Sequence, residues 1–305
     1  MLGRMNPGAL LEPARAARIR AHGGHWPLPE PLRSLRSEVE ARAAHLPTRL
    51  NEFGVDDFGF DPDYAQPLLL AAALFYRYWL RVETEGIERV PPGRVLLIAN
   101  HAGNTFAYDG TMLMAALYLE GQPPRIVRGM GEYYLPTIPW FNILMQRMGS
   151  VVGTPENCAQ LLERDEAIMV FPEGERGFVK PWRKRYQLQR FGLGFLRLAL
   201  ETDTPIVPVG IVGGEEQSPG IANVRWLGRL VGSPAFPITP LFPWLGLLGF
   251  LPLPVKFRIH FGEPLRFEGD SNEEDAAIEP KVERVKSEIR TLIRDARAKR
   301  RSWFW

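Results

Sequence analysis

The chain has 305 residues, with 37 Lys+Arg against 35 Asp+Glu and a formal net charge of +2. That near balance argues against a nucleic-acid partner held by phosphate contacts, and a chain this long makes one large domain or two modest ones. Apolar residues are 45% and charged residues 24%, which excludes a largely disordered chain. The single cysteine, Cys158, excludes an intramolecular disulfide and a cysteine-based zinc cluster, and suits a reducing compartment.

Met1 to Arg20 holds four arginines and no continuous apolar core, so no signal peptide is expected. No apolar run reaches the about 18 residues of a spanning helix. Residues 1–80 read as a helical region. Leu32, Leu35, Val39 and Leu46 recur at roughly helical spacing, Asn51–Asp63 is a Gly/Asp/Phe linker, and Tyr64–Leu80 is an apolar helix. From Val82 short apolar runs alternate with helix-length segments. The runs are Val95–Ala99, Ile126–Val127, Val151–Val152, Ala167–Phe171, Ile206–Val209 and Phe257–Phe261. The helix candidates between them are Gly110–Glu120, Ile138–Met148, Pro155–Arg164 and Arg190–Glu201. Thr154-Pro155 is a capped helix start. Pro208 removes one ladder donor, which predicts a bulge or an edge there. The alternation predicts an α/β fold, a mostly parallel sheet flanked by helices, over residues 81–270. Residues 271–305 carry a long amphipathic helix, Asn272–Lys299, with Ile278, Val282, Val285, Ile289 and Leu292 on one face. A basic and aromatic tail follows it.

Two loops carry chemistry. Asn100-His101 closes a predicted strand, and Asp109 stands at the start of the next helix, where α/β folds place ligands. A histidine there can act as a general base if a carboxylate holds its other ring nitrogen. Equally, Asp109 could cap the helix and His101 be an ordinary loop residue. The second loop, Phe171-Pro172-Glu173-Gly174-Glu175-Arg176-Gly177, offers backbone N–H groups and a guanidinium to an anion, or is an acidic turn. No Gly-x-Ser-x-Gly elbow, full dinucleotide fingerprint, P-loop or His-Glu-x-x-His motif occurs. His260, alternating with Arg258, and Cys158, among apolar helix positions, read as structural.

Together the blocks resemble the glycerolipid acyltransferases, from about Val82 to Phe267. Asn100-His101 with Asp109 is similar to that family's His/Asp block. Met148–Asn157, which includes Gly153 and Thr154, is similar to its second block. Phe171-Pro172-Glu173-Gly174 is similar to the third and Pro205–Val209 to the fourth. Seven residues separate His101 from Asp109, more than the family usually has, and Phe106 occupies the usual Asp position, so the loop must bulge. Pro155 and Glu156 stand near the second block's usual arginine, which makes a neutral or zwitterionic acceptor more credible than a phosphorylated one.

The resemblance implies a one-step transfer from acyl-CoA or acyl-carrier protein to the hydroxyl of a membrane lipid acceptor, a lysophospholipid or another glycerolipid. His101 would be the general base and Asp109 its orienting partner. Asn100, Gly153, Thr154, Phe171, Pro172, Glu173, Gly174 and Arg176 would bind substrate, with no metal and no cofactor. A non-catalytic lipid-binding protein and an acyl-thioester hydrolase are the alternatives. Docking to the cytoplasmic face of a membrane is expected through three stretches. These are Lys180–Tyr186, the proline-rich apolar run Phe236–Pro254, and the tail with Arg297, Lys299, Arg300 and Arg301 before Trp303-Phe304-Trp305.

Overall fold

The computed structural model describes residues 29–138, 141–230 and 235–304. The predicted N-terminal region before residue 29, part of the predicted Ile138–Met148 helix, and Trp305 lie outside the described residues. In chain order the elements are α1 (Glu30–Ala44), α2 (Pro62–Leu74), β1 (Glu83–Glu85), β2 (Val95–Ala99), α3 (Tyr108–Leu119), β3 (Val127–Gly131), α4 (Phe141–Arg147), β4 (Val151–Val152), α5 (Pro155–Glu163), β5 (Ala167–Val170), α6 (Glu175–Phe178) and α7 (Gly194–Glu201). They continue with β6 (Ile206–Val212), α8 (Gly214–Gln217), β7 (Ala222–Asn223), α9 (Arg225–Leu230), β8 (Pro237–Ile238), β9 (Arg258–Phe261) and α10 (Asp275–Ala298).

Seven strands form one sheet in the order β1-β9-β6-β2-β5-β3-β4. From β6 to β4 all pairings are parallel; β9 runs antiparallel to β6 and carries β1 parallel beside it. β7 and β8 form a separate ribbon. The central strands are apolar at nearly every position because both faces are covered. Val95, Leu97 and Ala99 of β2 join a core with α1, α2 and α3, while Leu96 and Ile98 join a second core with α5, α7 and α10. The predicted N-terminal helical region and C-terminal helix therefore pack on opposite faces of one sheet.

Local chemistry sets the helix ends. Thr154 caps α5 by accepting from the Asn157 N–H at 3.1 Å, with Pro155 at the first helical position. Asp61 caps α2 from the Asp63 and Tyr64 N–H groups, and the predicted Tyr64–Leu80 helix loosens into a π turn over Phe75–Trp79. In α10, Ile278, Val282, Val285, Ile289, Ile293 and Ala296 are buried; Leu292 lies half-buried at the margin and Ile293 takes its place. Arg190 to Gly192 lies outside α7, which starts at Gly194.

Pro208 sits in β6, a fully buried central strand, so the edge expectation fails. The irregularity lies on the partner segment. Between the Val209–Phe261 pair and the Ile206–Leu265 bridge, Val207 and Pro208 face three residues, Gly262, Glu263 and Pro264. This bulge turns the partner backbone so that Gly262 N–H donates to the Pro208 carbonyl at 2.8 Å. Strand β1, Glu-Thr-Glu, has no apolar alternation to announce it and pairs only at the sheet edge.

Candidate active site

The parallel strands end along one edge of the sheet, where the loops after β2, β5 and β6 converge. His101 follows β2, and its Nδ1 lies 2.7 Å from Asp109 Oδ2. That oxygen also accepts the Ala102 N–H at 2.7 Å, and Asp109 Oδ1 accepts the Gly110 N–H at 2.8 Å. A carboxylate taking these bonds can only accept, so Nδ1 carries the proton and Nε2 presents its lone pair. Among the described residues, no group hydrogen-bonds Nε2. The long loop folds back through short contacts, Thr105 N–H to Gly103 and Tyr108 N–H to Phe106. It thereby delivers Asp109 in the first turn of α3. Asp109 is not the cap: that position is Ala107, and no side chain caps α3 there.

Two aromatic rings pack against the imidazole. Phe171 stacks on it at 4.2 Å between ring centroids, and Phe178 tilts against it at 5.0 Å. Gly174 opens α6 at φ 56°, ψ −147°, a backbone shape closed to side chains. A Cβ on Gly177 would meet Glu173 Cβ at 2.6 Å and His101 Cβ at 3.0 Å. This loop therefore reaches the histidine only with glycine at position 177.

Two residues expected to touch substrate are internal instead. Glu173 has a side chain 0% exposed and accepts from the His101 N–H at 2.9 Å and the Gln189 N–H at 2.6 Å; its carboxylate braces the histidine backbone. Asn100 donates to the Ile211 carbonyl at 2.9 Å and accepts from the Ile211 N–H at 2.7 Å. Its amide continues the β2–β6 ladder past the end of β2, with its oxygen and one of its N–H groups bonded to the Ile211 backbone. Thr154 caps α5, and Gly153 N–H bonds to the Gly131 carbonyl. Both follow β4, three strands from β2 in the sheet order. Pro172 is half-buried, and its carbonyl accepts from Gly192 N–H. Arg176 is exposed and lines a groove of about 1110 Å³ with Arg183, Lys184, Arg225, Trp182 and Trp303.

Residues that sequence reasoning missed or misplaced complete the floor. Lys180, assigned above to a membrane-facing stretch, is 2% exposed and lies 3.2 Å from Glu215 and 3.8 Å from Glu173. A buried position suits it only because carboxylates surround it. Burial pushes the Glu215 carboxyl above its usual range, and Lys180 opposes that. Gln217 Nε2 donates to the Gly103 carbonyl at 3.0 Å, and Asn104 Nδ2 to the Ser218 carbonyl at 2.7 Å. The one sequence signal for this floor was a pair of acids, Glu215-Glu216, directly after an apolar strand. Among the described residues no three His, Cys, Asp or Glu side chains converge on a metal position.

Cations of the tail also find partners within the chain. Arg300 is buried in an ion pair with Glu216, Lys299 pairs with Glu85, and Arg297 lies over the Tyr186 ring. Each of these three cations has a partner within the chain; Arg300 is buried, while Arg297 and Lys299 remain exposed.

Comparison with known proteins places this geometry. Residues 81–212 match the acyltransferase family model. An "Uncharacterized protein" of Mycobacterium leprae is 41% identical over 239 residues, covering 77% of this chain and 65% of its own length. One of Mycobacterium tuberculosis is 42% identical over 234 residues, covering 74% and 64%. The chain thus spans a little under two thirds of these relatives. The mouse "DGAT1/2-independent enzyme synthesizing storage lipids" is 24% identical over 70% of this chain and 60% of its own. The crystal structure of the 1-acyl-sn-glycerophosphate acyltransferase PlsC from Thermotoga maritima shares the fold. Its TM-score is 0.50 at 17% identity, over 87% of this chain and 90% of that one. Residues 81–212 thus match an acyltransferase domain, carried on a mostly parallel sheet that shares the fold of PlsC.

Proposed function

We propose that the protein moves a fatty acyl chain from a thioester donor, acyl-CoA or acyl-carrier protein, to the hydroxyl of a lysophospholipid or another glycerolipid. The observation that carries this reading is the His101–Asp109 contact at 2.7 Å with Asp109 fully buried. A lipid-binding protein of the same fold would have no need of this coupling across so long a loop.

In this reading the acceptor hydroxyl gives its proton to His101 Nε2, and its oxygen attacks the thioester carbonyl. Asp109 stabilises the imidazolium that forms. The tetrahedral intermediate collapses, the C–S bond breaks, and the imidazolium proton goes to the leaving thiolate. The ester and the free thiol are the products. Arg176, Arg183, Lys184 and Arg225 would meet an anionic part of donor or acceptor, a contact that Pro155 and Glu156 do not supply.

The substrates imply work at a membrane surface, at its cytoplasmic face. Among the described residues no helix is long and apolar enough to span a bilayer. Surface docking is supported by the proline-rich run, where Trp244 is 70%, Leu247 87% and Leu248 63% exposed. This run continues into neighbouring aromatics: Trp79 Nε1 donates to Pro252, and Tyr108 OH to Phe250, one residue from Asp109. Trp and Leu on such a face favour the interface. The deciding experiment offers purified protein acyl-CoAs with and without lipid acceptors and follows thiol release. Acceptor-dependent release supports the transferase; acceptor-independent release means a hydrolase, and none at all means a binder.

A further inference from the structure

The floor beneath the His101 loop is built from charges whose side chains are 5% exposed or less. Helix α8 packs against that loop: a Cβ on Gly214 would lie 3.0 Å from Ala102 Cβ, and Gln217 bonds to the Gly103 carbonyl. It also carries Glu215 and Glu216, whose side chains are 5% and 2% exposed. Adjacent buried carboxylates hold their place only if each is compensated. Lys180 serves Glu215. Glu216 Oε1 accepts from the Tyr186 hydroxyl and from Arg300 Nη1 at 2.9 Å, while Oε2 has no hydrogen-bond partner.

Arg300 comes from the far end of the chain, beyond α10, and the tail is fastened around it. The Trp303 carbonyl accepts from Arg300 Nη2 and from the Lys256 N–H. The Phe304 carbonyl accepts from Arg81, and the Trp303 ring meets Trp182 edge-on at 5.3 Å. We infer that the C-terminal tail is a working part of the active site: Arg300 is a positioning residue that neutralises Glu216 and so keeps α8 seated under the loop carrying His101. This rests on the reading of His101 as general base.

The test uses the full chain with Arg300→Met, Arg300→Met/Glu216→Gln, and two readouts. The first is acyl transfer; the second, independent of activity, is the His101 Nδ1–H proton resonance. Small displacements of a catalytic group cost up to about 10²-fold. Arg300→Met should therefore lower kcat about 10- to 100-fold with KM nearly unchanged, and shift or broaden the resonance. The double variant, which removes the stranded charge, should recover to within about threefold. A folded Arg300→Met protein with wild-type kcat and resonance overturns the inference. So does a folded double variant as slow as the single one. If the single variant does not fold, the double variant decides: folded and active supports the role, folded and inactive refutes it. If wild-type protein transfers no acyl chain, the proposed activity fails, and the resonance alone then decides whether Arg300 positions the loop.

Discussion

Asp109→Asn tests the heart of the site, and the structure sets its cost. The carboxylate accepts three hydrogen bonds, from His101 Nδ1–H, Ala102 N–H and Gly110 N–H. An amide offers one oxygen and one NH₂ in the same space. Its cheapest orientation keeps the oxygen toward His101 and Ala102 and points the NH₂ at the Gly110 N–H. One buried donor pair is then left facing itself, which costs about 1–3 kcal/mol. That is a loss of stability but not of the fold. The imidazole keeps its tautomer and loses the negative charge that would stabilise it when protonated. A loss of turnover of about 10²- to 10⁴-fold is expected. The assay is acceptor-dependent thiol release, with circular dichroism and thermal melts to confirm folding. A folded variant that keeps more than about a third of wild-type turnover would refute the coupling. In that case the short contact only shapes the loop.

Gly177→Ala drives a methyl into Glu173 and His101, at 2.6 and 3.0 Å. It should lower turnover at least about 10-fold and cost about 1–3 kcal/mol of stability; full activity would show that the histidine tolerates displacement. Arg176→Lys keeps the charge and loses the planar fork. It should raise KM for an anionic substrate more than it lowers kcat, and unchanged kinetics with every donor and acceptor would assign Arg176 to the solvated surface. His260 lies 3.6 Å from Glu85, and burial lowers its pKa. The unfolded chain therefore takes this proton first, and stability falls as pH drops below about 6.5. Urea midpoints at pH 7.5 and 5.5 should differ less in His260→Gln than in wild type, and equal differences would remove His260 from the acid response. Replacing Trp244, Leu247 and Leu248 together by Glu should release the protein from anionic vesicles with little change in melting temperature, because these side chains are largely exposed; undiminished co-sedimentation would rule that face out.

What was legible in the sequence follows from how each feature is encoded. Val95–Ala99 announced itself because a strand covered on both faces must be apolar throughout, and α10 did so because one stripe packs while the rest meets water. His101 and Asp109 were findable because polar residues at the end of a buried strand have few structural uses. Asn100 and Glu173 belong to the same motifs, yet the structure turns both side chains inward. A sequence block does not separate a group that meets substrate from one that holds its neighbour's backbone. The place of Arg300 was hidden for a deeper reason. A basic, aromatic chain end reads as a membrane anchor when each charge is counted as solvated. Arg300 instead reaches a carboxylate 84 positions earlier, and Lys299 reaches one 214 earlier. Pairings at such separation leave no local period or spacing, so neither appears until the chain is folded. The same holds for Lys180, which sits beside Arg183 and Lys184 in sequence. Those two stand free along the open groove, whereas Lys180, at the groove's wall, is turned inward and buried beside Glu173 and Glu215. Charge in a sequence window reports composition; which charges face water is decided by the carboxylates that other loops deliver.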